Sequence, residues 1–262
     1  MPDLRVSSWN QIQELLYENS WQEGLKRFRS SYAFRGMPDV NDDLVTGLAR
    51  LGGDFAQTEP HILRAFRKYA RPEEAAGTTL WNWLSLAQHH GLPTRLLDWT
   101  CSPFVALHFV TEDMFLYDRD GVVWCVDYVR ANGLLPQVLK DIAARECAGV
   151  FTAEMLNEAA DSLPKFDSLG GERPFVVFME PPSLDARIVN QFALFSLMSS
   201  PSARLDHWLE GHPELHRRLI IPASLKWEVR DKLDQANVTE RVLFPGLDGL
   251  SRWLARYYTL KP

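Results

Sequence analysis

With 262 residues, 46% hydrophobic and 11% aromatic, the chain has the material for a dense core in one large or two small domains, and extensive disorder is excluded. A formal charge of −6 excludes a surface that grips nucleic acid everywhere, since that mode draws on many Lys and Arg contacts to phosphate; a local basic groove remains compatible. Three scattered cysteines exclude a disulfide framework and point to a reducing cytoplasm, and the lack of a leader or of a run of about 18 apolar residues predicts an untargeted chain with no membrane partner.

In chain order, Ser7-Ser8-Trp9-Asn10 caps a predicted helix over Ile12, Leu15, Leu16 and Tyr17, and a second helical piece is expected from Trp21 to Phe28. Residues 1–30 therefore read as an N-terminal helical extension to a domain of residues 31–262. Ser31 to Gly36 reads as a strand with Tyr32 and Phe34 on one face and Ala33 and Arg35 on the other, which aims a guanidinium from the strand end. Leu44, Leu48 and Leu51 mark a short amphipathic piece. A helix starts at Glu59-Pro60-His61 and sets Arg64, Lys68 and Arg71 on one face, either a solvated face or a rim that attracts a polyanion.

Thr78 to His90 predicts a buried helix. The stretch Thr94 to Trp99 fits a short strand that delivers Asp98 and Thr100 to a second buried helix, which starts at Ser102-Pro103 and runs to about Thr111. Such a corner gathers backbone N–H groups and favours anions. Beyond it come a strand from Gly121 to Tyr128, helices over 135–147 and 152–162, a loop over 164–174 and strands at 174–179 and 193–198. A polar helical stretch over 201–216, a strand at 219–222, a helix over 224–235, a strand at Val242-Leu243-Phe244 and a helix over 247–258 complete the chain. The alternation lacks a strict βαβ rhythm, so the expected class is α+β, one domain with a sheet flanked by helices.

No phosphate-binding glycine loop, dinucleotide fingerprint, His-Glu-x-x-His or Gly-x-Ser-x-Gly is present. His212 and His216 lack a third ligand at metal spacing, so no metal is expected. His89 and His90, at a helix end, are candidate proton carriers or C-terminal cations. Arg95 and Asp98 are candidates for pairing with each other.

Phe34-Arg35-Gly36, the block from Gln88 to Thr100 with Ser102-Pro103 and Ala106, Arg187-Ile188 with Gln191 and Phe195, and the block from Leu243 to Leu250 resemble the FRG domain, over roughly residues 30–255. A more distant resemblance is to ADP-ribosyltransferases, which share an aromatic-Arg-Gly strand, a polar strand running into an apolar helix and a late strand bearing Glu or Gln. That resemblance implies a sheet core of their type. It puts Arg35 where NAD is gripped near its diphosphate and ribose, Thr94, or alternatively Thr100 or Ser102, at the second motif, and Gln191 near the catalytic glutamate. The departures are the missing Ser-Thr-Ser run and the Gln in place of Glu.

The resemblance thus implies an NAD-dependent ADP-ribosyltransferase-like enzyme, with NAD as substrate, acting on a protein or nucleic-acid acceptor as a toxin or antiviral effector, with a cognate inhibitor among its partners. Cleaving the nicotinamide–ribose bond builds positive charge on the sugar, as glycoside cleavage does, while a planar guanidinium suits phosphate oxygens. Tyr32, Phe34, Gly36, Thr94, Thr100 and Ser102 join Arg35 as the expected NAD contacts. Gln191 cannot take a proton, so the base falls to His89, His90 or Asp98. A non-catalytic nucleotide sensor and a metal-dependent nuclease or hydrolase using Asp98 are the alternatives.

Overall fold

The computed structural model describes residues 3–70 and 77–260, so Arg71 lies outside the described residues. The chain opens with a short strand β1 (Leu4–Arg5), helix α1 (Trp9–Tyr17), a two-stranded hairpin of β2 (Trp21–Gln22) and β3 (Arg27–Phe28), and strand β4 (Tyr32–Met37). Helices α2 (Phe55–Tyr69) and α3 (Leu80–His89) lead to β5 (Leu97–Thr100) and α4 (Pro103–Val110). Strand β6 (Gly121–Asp127) precedes four short helices, α5 (Tyr128–Ala131), α6 (Gln137–Arg145), α7 (Ala153–Ala159) and α8 (Leu163–Ser168). Then come β7 (Val176–Met179), α9 (Ala186–Asn190), β8 (Ala193–Met198), α10 (Leu205–Glu210) and β9 (His216–Ile221). Helices α11 (Lys226–Gln235), α12 (Glu240–Leu243) and α13 (Leu247–Tyr257) close the described chain.

Seven strands form one mixed sheet in the order β1-β9-β6-β4-β5-β8-β7, with β1 and β9 parallel and every other neighbour antiparallel. The fold is therefore α+β with a mixed sheet flanked by helices. Strand periodicity divides its core. Phe34, Val123, Cys125, Leu219 and Ile221 pack with α1, α4 and α11, whereas Ala33, Met37, Val122, Trp124 and Val126 join Trp99, Phe178 and Leu205 in a second cluster. A third cluster gathers Trp81, Leu139, Leu156 and Phe166 from the helices against Val177, Met179, Phe195 and Leu197.

Local chemistry explains the element starts. Ser8 caps α1 by accepting from the Gln11 N–H, Thr79 and Asn82 form a reciprocal capping box on α3, and Ser102 followed by Pro103 starts α4 as its sequence requires. Helix α2 begins a turn before Glu59, because Asp54 accepts from the Gln57 N–H and caps it there.

Four local expectations fail for physical reasons. Residues 21–28 form a hairpin and no helix: Trp21 pairs across with Phe28, their rings 5.1 Å apart edge-to-face, and Lys26 takes φ 50° in the turn. The N-terminal segment, expected to be purely helical, also adds β1 to the sheet edge beside β9. Residues 163–168 are a helix with Pro164 in its first turn, where no N–H is needed, so the expected loop is shorter. The apolar run Val242 to Phe244 belongs to α12 and its end, with the Phe244 N–H donating to the Glu240 carbonyl.

Candidate functional site

The site arises where the sheet parts. Strand β4 pairs with β6 along its whole length, yet it meets β5 at the single register point Phe34↔Thr100. Beyond that point β4 and β5 diverge, and the Arg35 guanidinium spans the gap, its Nη1 donating to the Asp98 carbonyl at 2.5 Å. Gly36 follows because α4 presses on β4 there: a Cβ would stand 1.8 Å from the Ala106 carbonyl oxygen.

Two connected chambers open at this split. The outer, of about 730 Å³, is lined among others by Gln88, His89, His90, Leu92 and Ile188. The inner, of about 300 Å³, has an apolar floor of Phe34, Met37, Trp99 and Phe109, with Asp42 and Glu112 at its edge. Arg35, Arg50, Asp98, Arg187, Gln191 and Ala193 line both and so mark the junction.

Electrostatically the junction is dominated by cations. None of Arg35, Arg50 and Arg187 forms an ion pair among the described residues, and the Nε of Arg35 is buried with no hydrogen-bond partner. Burial is the main cause that lowers the Arg35 pKa from its ordinary value, with Arg50 adding repulsion and Asp98 and Asp42 opposing; at such a starting value the group stays cationic. Arg187 lies over the Phe244 ring at 5.1 Å, which holds its stem without neutralising its charge.

A hydrogen-bonded chain stands on the opposite wall. The buried Thr94 hydroxyl donates to Gln88 Oε1 at 2.5 Å, and Gln88 Nε2 donates to Asp98 Oδ2 at 2.9 Å. Asp98 itself is exposed to the cleft. His89 contacts Asp185 at 2.8 Å, and the Asp185 carboxyl, although burial pushes it up, is held below its ordinary value by the Ile188 N–H, the His89 imidazole and the Arg187 N–H. His90 is exposed, edge-on to His89 at 5.2 Å.

Of the residues singled out in the sequence, Phe34, Arg35, Gly36, His89, His90, Asp98, Thr100 and Gln191 line the two chambers. Three do not. Thr94 is 2% exposed and sits behind the wall, Tyr32 holds the Arg217 guanidinium over its ring at 4.8 Å, and Ser102 caps α4. The expected anion corner at the start of α4 is closed: the Ser102 N–H donates to Thr100 Oγ1, and the Phe104 ring packs on Trp9 and Tyr17.

One further expectation is corrected. Arg95 does not pair with Asp98; it is buried, forked onto Glu59 from Nε and Nη2 at 2.8 and 2.5 Å, and bonded to Asp167 at 2.5 Å. Gln191 reaches the cleft, but its Nε2 donates to the Leu243 carbonyl at 2.9 Å, and its own carbonyl accepts from Thr100 Oγ1 at 2.7 Å.

Arg50 and Glu112 escaped the sequence reading because each follows a segment whose pattern speaks only of packing, a leucine-spaced turn and an apolar helix. Arg187 stood in a recognised motif without an assigned role. Its place could have been inferred from Asp185, a helix cap that fixes the start of α9.

The fold and cleft define an α+β protein with a divided, arginine-lined pocket at a parting of its sheet. Residues 30–119 match the family model of the FRG domain. The matched span contributes Arg35, Arg50, Gln88 to Asp98 and Glu112, while Arg187 and Gln191 come from beyond it. No curated protein and no solved structure matches the chain.

Proposed function

We propose that the cleft binds NAD and that the protein is an ADP-ribosyltransferase-like enzyme, transferring ADP-ribose to a protein or nucleic-acid acceptor as a toxin or antiviral effector. The supporting observation is the set of three guanidiniums without ion pairs at the junction of a polar chamber and a smaller, apolar-floored one. Such a division suits a ligand with a diphosphate and a flat aromatic amide. The guanidiniums would take the phosphate oxygens. Phe34, Met37, Trp99 and Phe109 would receive the ring.

In the reaction the ribose C1′–N bond breaks, its electron pair leaving with neutral nicotinamide. A C1′–O bond forms to an acceptor hydroxyl or water, whose proton goes to Asp98. Asp98 is favoured over the histidines because its carboxylate is exposed at the junction, while His89 is committed to Asp185. The commitment of the Gln191 amide to Leu243 favours a second reading, a nucleotide sensor without turnover.

Incubation with NAD labelled in both halves separates the two. The enzyme reading expects nicotinamide release and labelled acceptor, lowered about 100-fold or more in Asp98→Asn, as loss of a general base does. Saturable NAD binding with no release would favour the sensor, and neither binding nor release would end both.

A further inference from the structure

From the Thr94, Gln88 and Asp98 chain we infer that Thr94 and Gln88 are positioning residues that hold the Asp98 carboxylate in the cleft with one oxygen free for a proton. The inference rests on the NAD reading for the identity of the reaction, but its geometry stands by itself.

The hydrogen-bond polarity is set from the buried end. The Leu96 N–H donates to Thr94 Oγ1 at 3.1 Å, so that hydroxyl is already an acceptor and gives its own hydrogen to Gln88 Oε1 at 2.5 Å. With its oxygen facing Thr94, the Gln88 amide turns its NH₂ to Asp98 Oδ2, and the second carboxylate oxygen has no donor within hydrogen-bond distance among the described residues. A flipped amide would set oxygen against carboxylate oxygen and leave the Thr94 hydroxyl hydrogen without an acceptor. From the other side, Arg35 fixes the Asp98 backbone through its carbonyl. The aspartate is thus held at its main chain from β4 and at its side chain from the end of α3, on the rim of the junction.

This assigns Thr94 a role its position alone would not suggest. It is 2% exposed and cannot touch a ligand, yet the FRG block places it six residues from Gln88 across the turn that ends α3. A threonine that only filled space would serve as well with a methyl in place of its hydroxyl.

The test compares wild type, Thr94→Val, Thr94→Ser and Gln88→Leu. Nicotinamide release should fall about tenfold in kcat in Thr94→Val and Gln88→Leu with KM for NAD little changed, and Thr94→Ser should restore it. The side-chain amide resonances of Gln88 should lose their distinct positions in Thr94→Val and regain them in Thr94→Ser. Wild-type kcat in Thr94→Val, a loss that serine fails to restore, or Gln88 resonances indifferent to residue 94 would overturn the inference. Should the wild-type protein release no nicotinamide, the enzyme reading fails, and the resonances still decide whether the chain sets the amide.

Discussion

Arg35 is half-buried where β4 parts from β5, its Nη1 committed to the Asp98 carbonyl and its charge without an ion pair among the described residues. His108 is a second group whose state its neighbours fix. It is fully buried on α4, and because Arg230 can only donate, the 2.8 Å contact makes His108 Nδ1 the acceptor and puts the proton on Nε2. Burial, with repulsion from Arg230 and Arg256, pulls its pKa from 6.5 to about 3. Since the folded value is the depressed one, the neutral ring contributes stability that is full above about pH 6.5 and is lost as pH falls from there toward 3. In His108→Gln, where the amide oxygen can accept from Arg230, thermal melts should fall less steeply between pH 6.5 and 4 than in wild type; equal slopes would contradict the account.

At the residue scale, what could be read in advance followed the reach of side chains. Arg35 was legible because a strand alternates and a glycine follows it. The partners of Arg95 were not: Glu59 and Asp167 lie on α2 and α8, and only the packing of those helices against α3 brings them together.

Among the elements, β4 and α4 form the frame on which the cleft depends. Their separation is set by Gly36, whose missing side chain admits the Ala106 carbonyl. Gly36→Ala must push α4 away or distort β4, and a loss of about 1–3 kcal/mol is expected, the usual cost of overpacking. Chemical denaturation measures it, and an unchanged midpoint would show that the helix stands farther off. Element types came through where a cap or a strict period marked them, as in α1, α3, α4, β4 and β6. They were lost at the hairpin of β2 and β3, whose residues are all exposed and pair only with each other, and at α12, whose apolar run is too short to reveal its period.

Over the whole molecule, a chain of net charge −6 sets three guanidiniums around one opening with no ion pair among the described residues, while several other arginines are neutralised by partners, as Arg95 is by Glu59 and Asp167 and Arg256 by Glu240 and Asp234. That contrast could not be read from composition, because it depends on which arginines the fold leaves unpaired. It is the ground on which an anionic ligand is proposed. The most direct measurement is a calorimetric titration of NAD into wild type and Arg35→Ala, with the melting temperature of each recorded. Saturable binding to wild type, weakened at least tenfold in an Arg35→Ala protein that melts as wild type does, is the predicted result; equal affinity in the two proteins, or no binding to wild type at millimolar NAD, would contradict it.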